Sequence, residues 1–356
     1  MSARQQQFSG SGAVRQGHEL DLNRLQEYLQ GVIPGFAGPL TIRQFKGGQS
    51  NPTYLLDASS GCYVMRRKPP GKLLKSAHAV DREYRVLSAL HASGFPVPKP
   101  LVLCEDDDVA GTMFYIMEYV AGRVFWDLDL PGLDPDERRA IYDHVNRTIA
   151  DLHNLDHVKI GLADYGKPGN YFARQISRWS KQYALSETGK VDAMDRLIEW
   201  LPQNIPDDDS SGVVHGDYRL DNLILHPTEP RVIAVLDWEL STIGHPLGDF
   251  TYHLMSWQMP DLGIGSAGLR NADLKSLGIP TEDEYVAQYC ERTGRKGGIP
   301  HRDFYAAYNF FRIAAILQGI AGRVRDGTAA SAHAEKTAKA VAPLADMGWS
   351  YARKAA

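Results

Sequence analysis

The chain predicts an α+β fold in two lobes, a small lobe built on an antiparallel sheet and a larger, mostly helical one. Three observations predict it. Short strand patterns crowd the stretch before residue 120. Helical periodicity dominates beyond it. One hairpin pattern near 213–237 interrupts the helical part. A chain of 356 residues is long enough for two lobes with a sizeable core.

The elements follow in order. Leu22, Leu25, Leu29, Val32 and Ile33 have amphipathic helical spacing, and Pro34-Gly35 stops the helix. Leu40 to Phe45 alternates apolar and polar residues, Gly47-Gly48 turns, and Thr53 to Leu56 and Cys62 to Met65 read as further strands. A helix is expected from about Ser76 to His91. Leu101-Val-Leu103, the acidic turn Glu105-Asp-Asp-Asp108 and a strand over Thr112 to Tyr119 complete the small lobe. Beyond it, 135–153 reads as a helix, and Phe310, Phe311, Ile313, Ala314 and Leu317 form a stripe expected to be core.

Composition is ordinary for a globular protein, 43% apolar and 23% charged. A net charge of −4 gives no global electrostatic case for nucleic acid or membrane binding. Three scattered cysteines, Cys62, Cys104 and Cys290, supply neither a disulfide framework nor metal spacing, and fit a reducing compartment. With no signal-peptide pattern and no apolar run of spanning length, a cytoplasmic protein is expected, with residues 1–17 as a flexible tail.

The strongest motif is His215-Gly-Asp-Tyr-Arg-Leu-Asp-Asn222, followed by Leu236-Asp237. It matches the spacing H-R-D-x-x-x-x-N with a later aspartate, except that Gly216 replaces arginine. Phosphoryl transfer needs an acceptor hydroxyl held in line and charge neutralised on the phosphates. Asp217 is the residue type to orient a hydroxyl and accept its proton, and Asn222 and Asp237 offer the hard oxygens magnesium prefers. The apolar run Leu223-Ile-Leu225 and the run Arg231 to Leu236 predict a hairpin that gathers these oxygens.

In the small lobe, the turn Phe45-Lys-Gly-Gly-Gln-Ser-Asn51 can present amides to phosphate, with Gly48 and Ser50 as candidate contacts. Glu83 falls on or beside the buried face of its helix, with Val80, Tyr84, Leu87 and Leu90, and so calls for a cation. Arg66 is the expected partner, with Arg67 and Lys68 as neighbouring candidates.

Together these residues resemble the aminoglycoside phosphotransferase and choline-kinase-like superfamily. Within it, the chain is most similar to the kinase-like domains found alone in bacteria or fused to acyl-CoA dehydrogenases. The similarity rests on the loop above and on Val235-Leu-Asp-Trp-Glu239, Arg66-Arg-Lys-Pro-Pro-Gly71, Asn170-Tyr-Phe-Ala-Arg-Gln175 and Thr242-Ile-Gly-His-Pro-Leu-Gly-Asp249. It implies a bilobal protein kinase-like fold, with residues 18–119 as nucleotide-binding lobe and 120–356 as catalytic and substrate lobe. It also implies ATP and Mg²⁺ as cofactors, Asp217 as catalytic residue, Asn222 and Asp237 as metal ligands, and Arg66 with Glu83 on the phosphate side. The hinge near adenine would be 117–120, with Glu118 and Tyr119. His215 and Asp249 are expected to support the loop. No D-F-G follows Asp237 and no A-P-E segment is present, which turns the expectation away from protein substrates.

For the acceptor, Arg174 and Arg178 share a helix face near Trp179, and are expected to hold the anionic group of a small hydroxy acid or its CoA thioester. A functional link to an acyl-CoA dehydrogenase is also expected. The rival readings are a nucleotide-binding module without catalysis, kept open by Arg66 in place of lysine, and an aminoglycoside-type antibiotic kinase.

Overall fold

The structure, a computed structural model, describes residues 3–47, 51–69, 79–262, 268–327 and 337–355. The chain divides into two compact units. The first comprises Met1–Thr148, Asp156–Tyr165 and Arg219–Ser241, and the second Ile149–Leu155, Gly166–Tyr218 and Thr242–Ala356.

The first unit is built on a six-stranded antiparallel sheet in the order β1-β2-β3-β4-β6-β5. Its strands are β1 (Ser11–Gly12), β2 (Thr41–Phe45), β3 (Thr53–Ala58), β4 (Gly61–Arg67), β5 (Pro100–Cys104) and β6 (Phe114–Glu118). Where a flexible tail was expected, helix α1 (Ala3–Phe8) and strand β1 precede Gly17. Gln5 Nε2 ties α1 to the Val124 carbonyl at 2.8 Å, and Phe8 lies 5.0 Å from the Trp126 ring.

Alternation along the strands gives this sheet two different faces. On one face Tyr54, Leu56, Met65, Phe114 and Ile116 join Leu25 and Leu29 of helix α2 (Leu22–Val32) in a dry core. Asp21 caps α2, its carboxylate accepting from the Asn23 and Arg24 amides at 3.1 Å each. The acidic stretch after β5 becomes the single-turn helix α4 (Asp107–Ala110), whose Val109 and Ala110 reach the same core. Helix α3 (Val80–Ala92) packs on β5 and β6. Its buried face is Val80, Glu83, Val86, Leu87 and Leu90. Glu83 is therefore central to that face.

Strands β8 (Leu223–Leu225) and β9 (Val232–Val235) form the predicted hairpin within the first unit. Gly122 passes over it, and a Cβ there would come within 2.3 Å of the Leu225 carbonyl oxygen. Only glycine admits that approach, which the bridge between Arg123 and Leu225 then fixes.

Helix α5 (Pro135–Asn154) carries the chain into the second unit. That unit holds α6 (Tyr171–Ser186), α7 (Asp192–Trp200), α8 (Pro246–Gln258), α9 (Leu274–Leu277), α10 (Glu282–Arg292), α11 (Arg302–Arg325) and α12 (Val341–Ala355). Strands β7 (Gly212–Val214) and β10 (Thr242–Gly244) pair antiparallel beside them. Helix α11 is the hub: it packs against α6, α8 and α12, and residues on all its sides are buried. Among the described residues no helix is long and apolar enough to cross a membrane.

Candidate active site

The boundary between the units falls inside the motif, between Tyr218 and Arg219.

In the first unit, the hairpin sets Asn222 and Asp237 side by side. Asn222 precedes β8 and Asp237 follows β9, and the Leu236 amide donates to the Asn222 carbonyl at 2.8 Å. Asp237 adopts φ +65°, a left-handed conformation that aspartate tolerates better than most residues.

Arg66 is 7% exposed and gathers three carboxylates. Its Nε lies 2.7 Å from Glu83 Oε2, while Nη2 donates to Asp237 Oδ1 at 2.5 Å and to Glu239 Oε2 at 3.2 Å. The Nε–H is not aimed at the Glu83 oxygen, so that contact is an ion pair without an aligned hydrogen bond. Glu83 also accepts from Asn51 Nδ2 at 2.9 Å and Tyr115 Oη at 3.2 Å. Burial pushes the Glu83 carboxyl up to about 7 against the pull of Arg66, and the like charges of Asp237 and Glu239 add to the rise.

Strand alternation settles which cation meets Glu83. Arg67 points to the opposite face, donating to the Ala110 carbonyl at 2.8 Å and Tyr54 Oη at 3.1 Å. Lys68 reaches Asp81 at 3.9 Å.

Beside this cluster lies a cavity of about 580 Å³. Val64, Leu87, Met117, Ile224 and Val235 give it apolar walls, and Arg66, Asn222 and Asp237 give it polar ones. Glu118 and Tyr119 line it, with the Glu118 carboxylate accepting from the Lys99 amide at 2.9 Å. Gly47, Gln5, Phe8 and Trp126 also reach it. Gly48 and Ser50 lie outside the described residues.

In the second unit, Asp249 organises the start of the motif. It sits in the first turn of α8, 2% exposed, and accepts from the His215 amide at 2.7 Å and the Gly216 amide at 2.8 Å. His153 Nε2 lies 3.3 Å from the same carboxylate, and its Nδ1 is 2.8 Å from Tyr289 Oη. A carboxylate only accepts, so Nε2 carries the proton and Tyr289 donates to Nδ1. Although burial favours the neutral acid, the hydrogen bonds from the His153 ring and the His215 amide hold the Asp249 carboxyl below its ordinary range. Gly216 has φ +84°, which disfavours the arginine found here in H-R-D loops. The Asp217 amide donates to His215 Nδ1 at 3.1 Å, so His215 braces the loop. The Asp217 carboxylate accepts from Tyr252 Oη at 2.6 Å.

Arg174 was expected to hold the acceptor together with Arg178. Its guanidinium donates to the Gly169 and Lys167 carbonyls, tying down the loop before α6, and so is committed to the backbone. Arg178 is exposed and lies 5.2 Å from the ring centroid of buried Trp179. Sequence reading missed Asn51, Tyr115, Glu239, Tyr252 and Arg312. Arg312 left a signal, a charge inside the stripe Phe310-Phe311-Arg312-Ile313-Ala314.

A hairpin presenting an amide and a carboxylate, a strand cation paired to a helix glutamate, and an adjoining apolar cavity define a phosphotransferase of the protein kinase-like fold. Comparison with known proteins gives the family. Residues 41–308 match the model of the phosphotransferase enzyme family, and the chain belongs to it. It is 44% identical over 342 residues to acyl-CoA dehydrogenase family member 10 of Mus musculus, covering 96% of this chain and 32% of that protein. It is 43% identical over 340 residues to acyl-CoA dehydrogenase family member 11 of Homo sapiens, covering 93% and 43%. The chain thus spans less than half the length of these relatives. A crystal structure from Ralstonia eutropha, provisionally described as an aminoglycoside phosphotransferase, is 55% identical, with TM-score 0.85 over 94% of this chain and 99% of that one. An aminoglycoside phosphotransferase in ternary complex with AMP-PNP and hygromycin B shares the fold at 17% identity, with TM-score 0.59 over 92% and 98%.

Proposed function

We propose that this chain is an ATP-dependent small-molecule kinase whose acceptor is an anionic hydroxylated metabolite, a hydroxy acid or hydroxyacyl-CoA. The observation that carries the kinase reading is the common lining of one cavity by Arg66, Asn222, Asp237 and the hinge residues Met117 to Val120. Apolar walls suit a nucleobase, and a cation with two oxygen donors suits phosphates.

The donor set fits magnesium, which takes few protein ligands and keeps waters and phosphate oxygens. Among the described residues no group of three or more His, Cys, Asp or Glu stands ready for a metal, and Asn222 with Asp237 is the hard-oxygen pair such an ion takes. When bound, it neutralises charge on the β- and γ-phosphates. Arg66 then exchanges its Asp237 contact for phosphate oxygens while Glu83 keeps it oriented. Asp217 orients the acceptor hydroxyl and receives its proton. The acceptor oxygen bonds to the γ-phosphorus, the bond to the β-bridging oxygen breaks, and ADP leaves with the electron pair.

Two observations favour the acceptor class. Arg178 stands exposed over Trp179, an anion-binding edge against an apolar face. The relatives that carry a similar segment are named for acyl-CoA dehydrogenases, which points to an acyl-CoA-linked substrate and a functional link to such an enzyme.

Incubation with γ-labelled and, separately, α-labelled ATP tests the reading, with hydroxy acids, their CoA thioesters, uncharged alcohols and an aminoglycoside as acceptors. Label from the γ position on the hydroxyacyl compounds is the expected result. Transfer of α label would show nucleotidylation, and binding of ATP without transfer to any acceptor would show a non-catalytic module. Preference for the aminoglycoside would overturn the acceptor class.

A further inference from the structure

We propose that Tyr252 and Arg312 are positioning residues that hold Asp217 in its reactive orientation. The proposal rests on the reading of Asp217 as the base. Tyr252 Oη donates to Asp217 Oδ1 at 2.6 Å, a charge-assisted bond that fixes rotation of the carboxylate. The reacting oxygen is then held in one direction before the acceptor arrives.

Arg312 backs this arrangement from α11. It is 5% exposed, and among the described residues no carboxylate lies within ion-pair distance of it. A buried guanidinium is costly, and the carboxylate whose charge acts on this one is Asp217 itself. Its Nη2 donates to the Gly216 carbonyl at 2.6 Å, and its guanidinium carbon lies 5.0 Å from the Tyr252 ring centroid and 6.0 Å from that of Trp179. Gly216 is thereby pinned on both sides, its N–H by Asp249 and its carbonyl by Arg312, one residue before Asp217. The cation against the Tyr252 ring also polarises the phenol and strengthens it as a donor. H-R-D loops carry a guanidinium within the loop. Here Gly216 cannot, and α11 supplies one to the same peptide.

Tyr252→Phe isolates the proposal, because it keeps the ring on Arg312 and removes only the donor. ADP formation from ATP is measured with a straight-chain hydroxyacyl-CoA and, separately, with water as acceptor, alongside MgADP affinity by calorimetry and the melting temperature. The expected result is a kcat lower by about ten- to a hundredfold, with KM for ATP, MgADP affinity and melting temperature unchanged. Arg312→Met should lower kcat similarly, and Arg312→Lys, which restores a cationic donor, should recover at least about tenfold of it. A Tyr252→Phe enzyme with kcat within about twofold of the parent, beside an inactive Asp217→Asn enzyme, overturns the proposal and leaves the base in place. A parallel loss of kcat, MgADP affinity and melting temperature also overturns it, by showing a merely structural role. An active Asp217→Asn enzyme, or a parent that forms no ADP with either acceptor, overturns the reading beneath it.

Discussion

Arg66 in the first unit and Asp249 in the second are both buried charges, and they are satisfied in opposite ways. Arg66 is shared by three carboxylates, and the side chains of Asp237 and Glu239 remain 29% and 24% exposed. That cluster can rearrange, because its groups compete for one cation and border a cavity. Asp249 takes two backbone amides and a histidine in a place that is almost fully dry. That cluster can only stay as it is. The difference teaches how one chain combines a partly exposed charge cluster whose groups share one cation with a dry one in which a carboxylate is held by backbone amides.

The comparison is broken most sharply by Asp249→Ala. Two buried amides and His153 lose their acceptor together, and a loss of about 3–5 kcal/mol is expected in urea unfolding. A loss under about 1 kcal/mol would show that the second cluster is not the rigid one.

Next in size is the pH response of the dry unit. Burial lowers the His253 imidazole to about 4, with its ring against the Tyr218 carbonyl and Tyr285 Oη. The folded value lies below the unfolded one near 6.5, so the unfolded chain binds the extra proton. Its stabilisation is present above about pH 6.5 and is lost progressively as pH falls toward 4, by about 3 kcal/mol in all. His253→Gln should flatten that part of the stability profile.

Arg66→Met is expected to cost less than Asp249→Ala, about 2–3 kcal/mol, because two of its three carboxylates can still reach water. The same variant should raise KM for ATP at least about tenfold. Adding Glu83→Gln should return part of the stability and none of the KM, a non-additivity that a double-mutant cycle reads directly.

The smallest effect concerns Arg174→Ala, which removes two contacts to loop carbonyls. About 1 kcal/mol of stability is expected to go, with KM for the acceptor unchanged. A raised acceptor KM would return Arg174 to the substrate side.

Much of this was legible before any coordinates. The hairpin could be read because an apolar run and a β-branched run flank turn residues, and its pairing places Asn222 next to Asp237. Glu83 was legible as an acid at an apolar helical spacing. Arg66 was the expected partner of Glu83, but Arg67 and Lys68 stayed open as candidates, since Arg66 and Arg67 are both buried and only the direction of the pleat separates them. The backbone contacts of Arg174 were not legible, because helical spacing says which side chains share a face and nothing about which carbonyls a long side chain will reach. Tyr252 was hidden because it lies in a helix buried almost throughout, and Arg312 showed only as a charge inside an apolar stripe.

The sequence by itself determined the class of enzyme and the class of fold: the spacing of Asp217, Asn222 and Asp237 pointed to a phosphotransferase, and strands before residue 120 with helices after pointed to two lobes. These follow from local periodicity and residue type, which need no knowledge of distant neighbours. Tertiary structure alone decided which groups each charge meets. It set Arg66 among Glu83, Asp237 and Glu239, placed Asp249 under the amides of His215 and Gly216, and brought Arg312 to the Gly216 carbonyl. Such contacts join residues far apart in the chain, and only the packing of whole strands and helices fixes them.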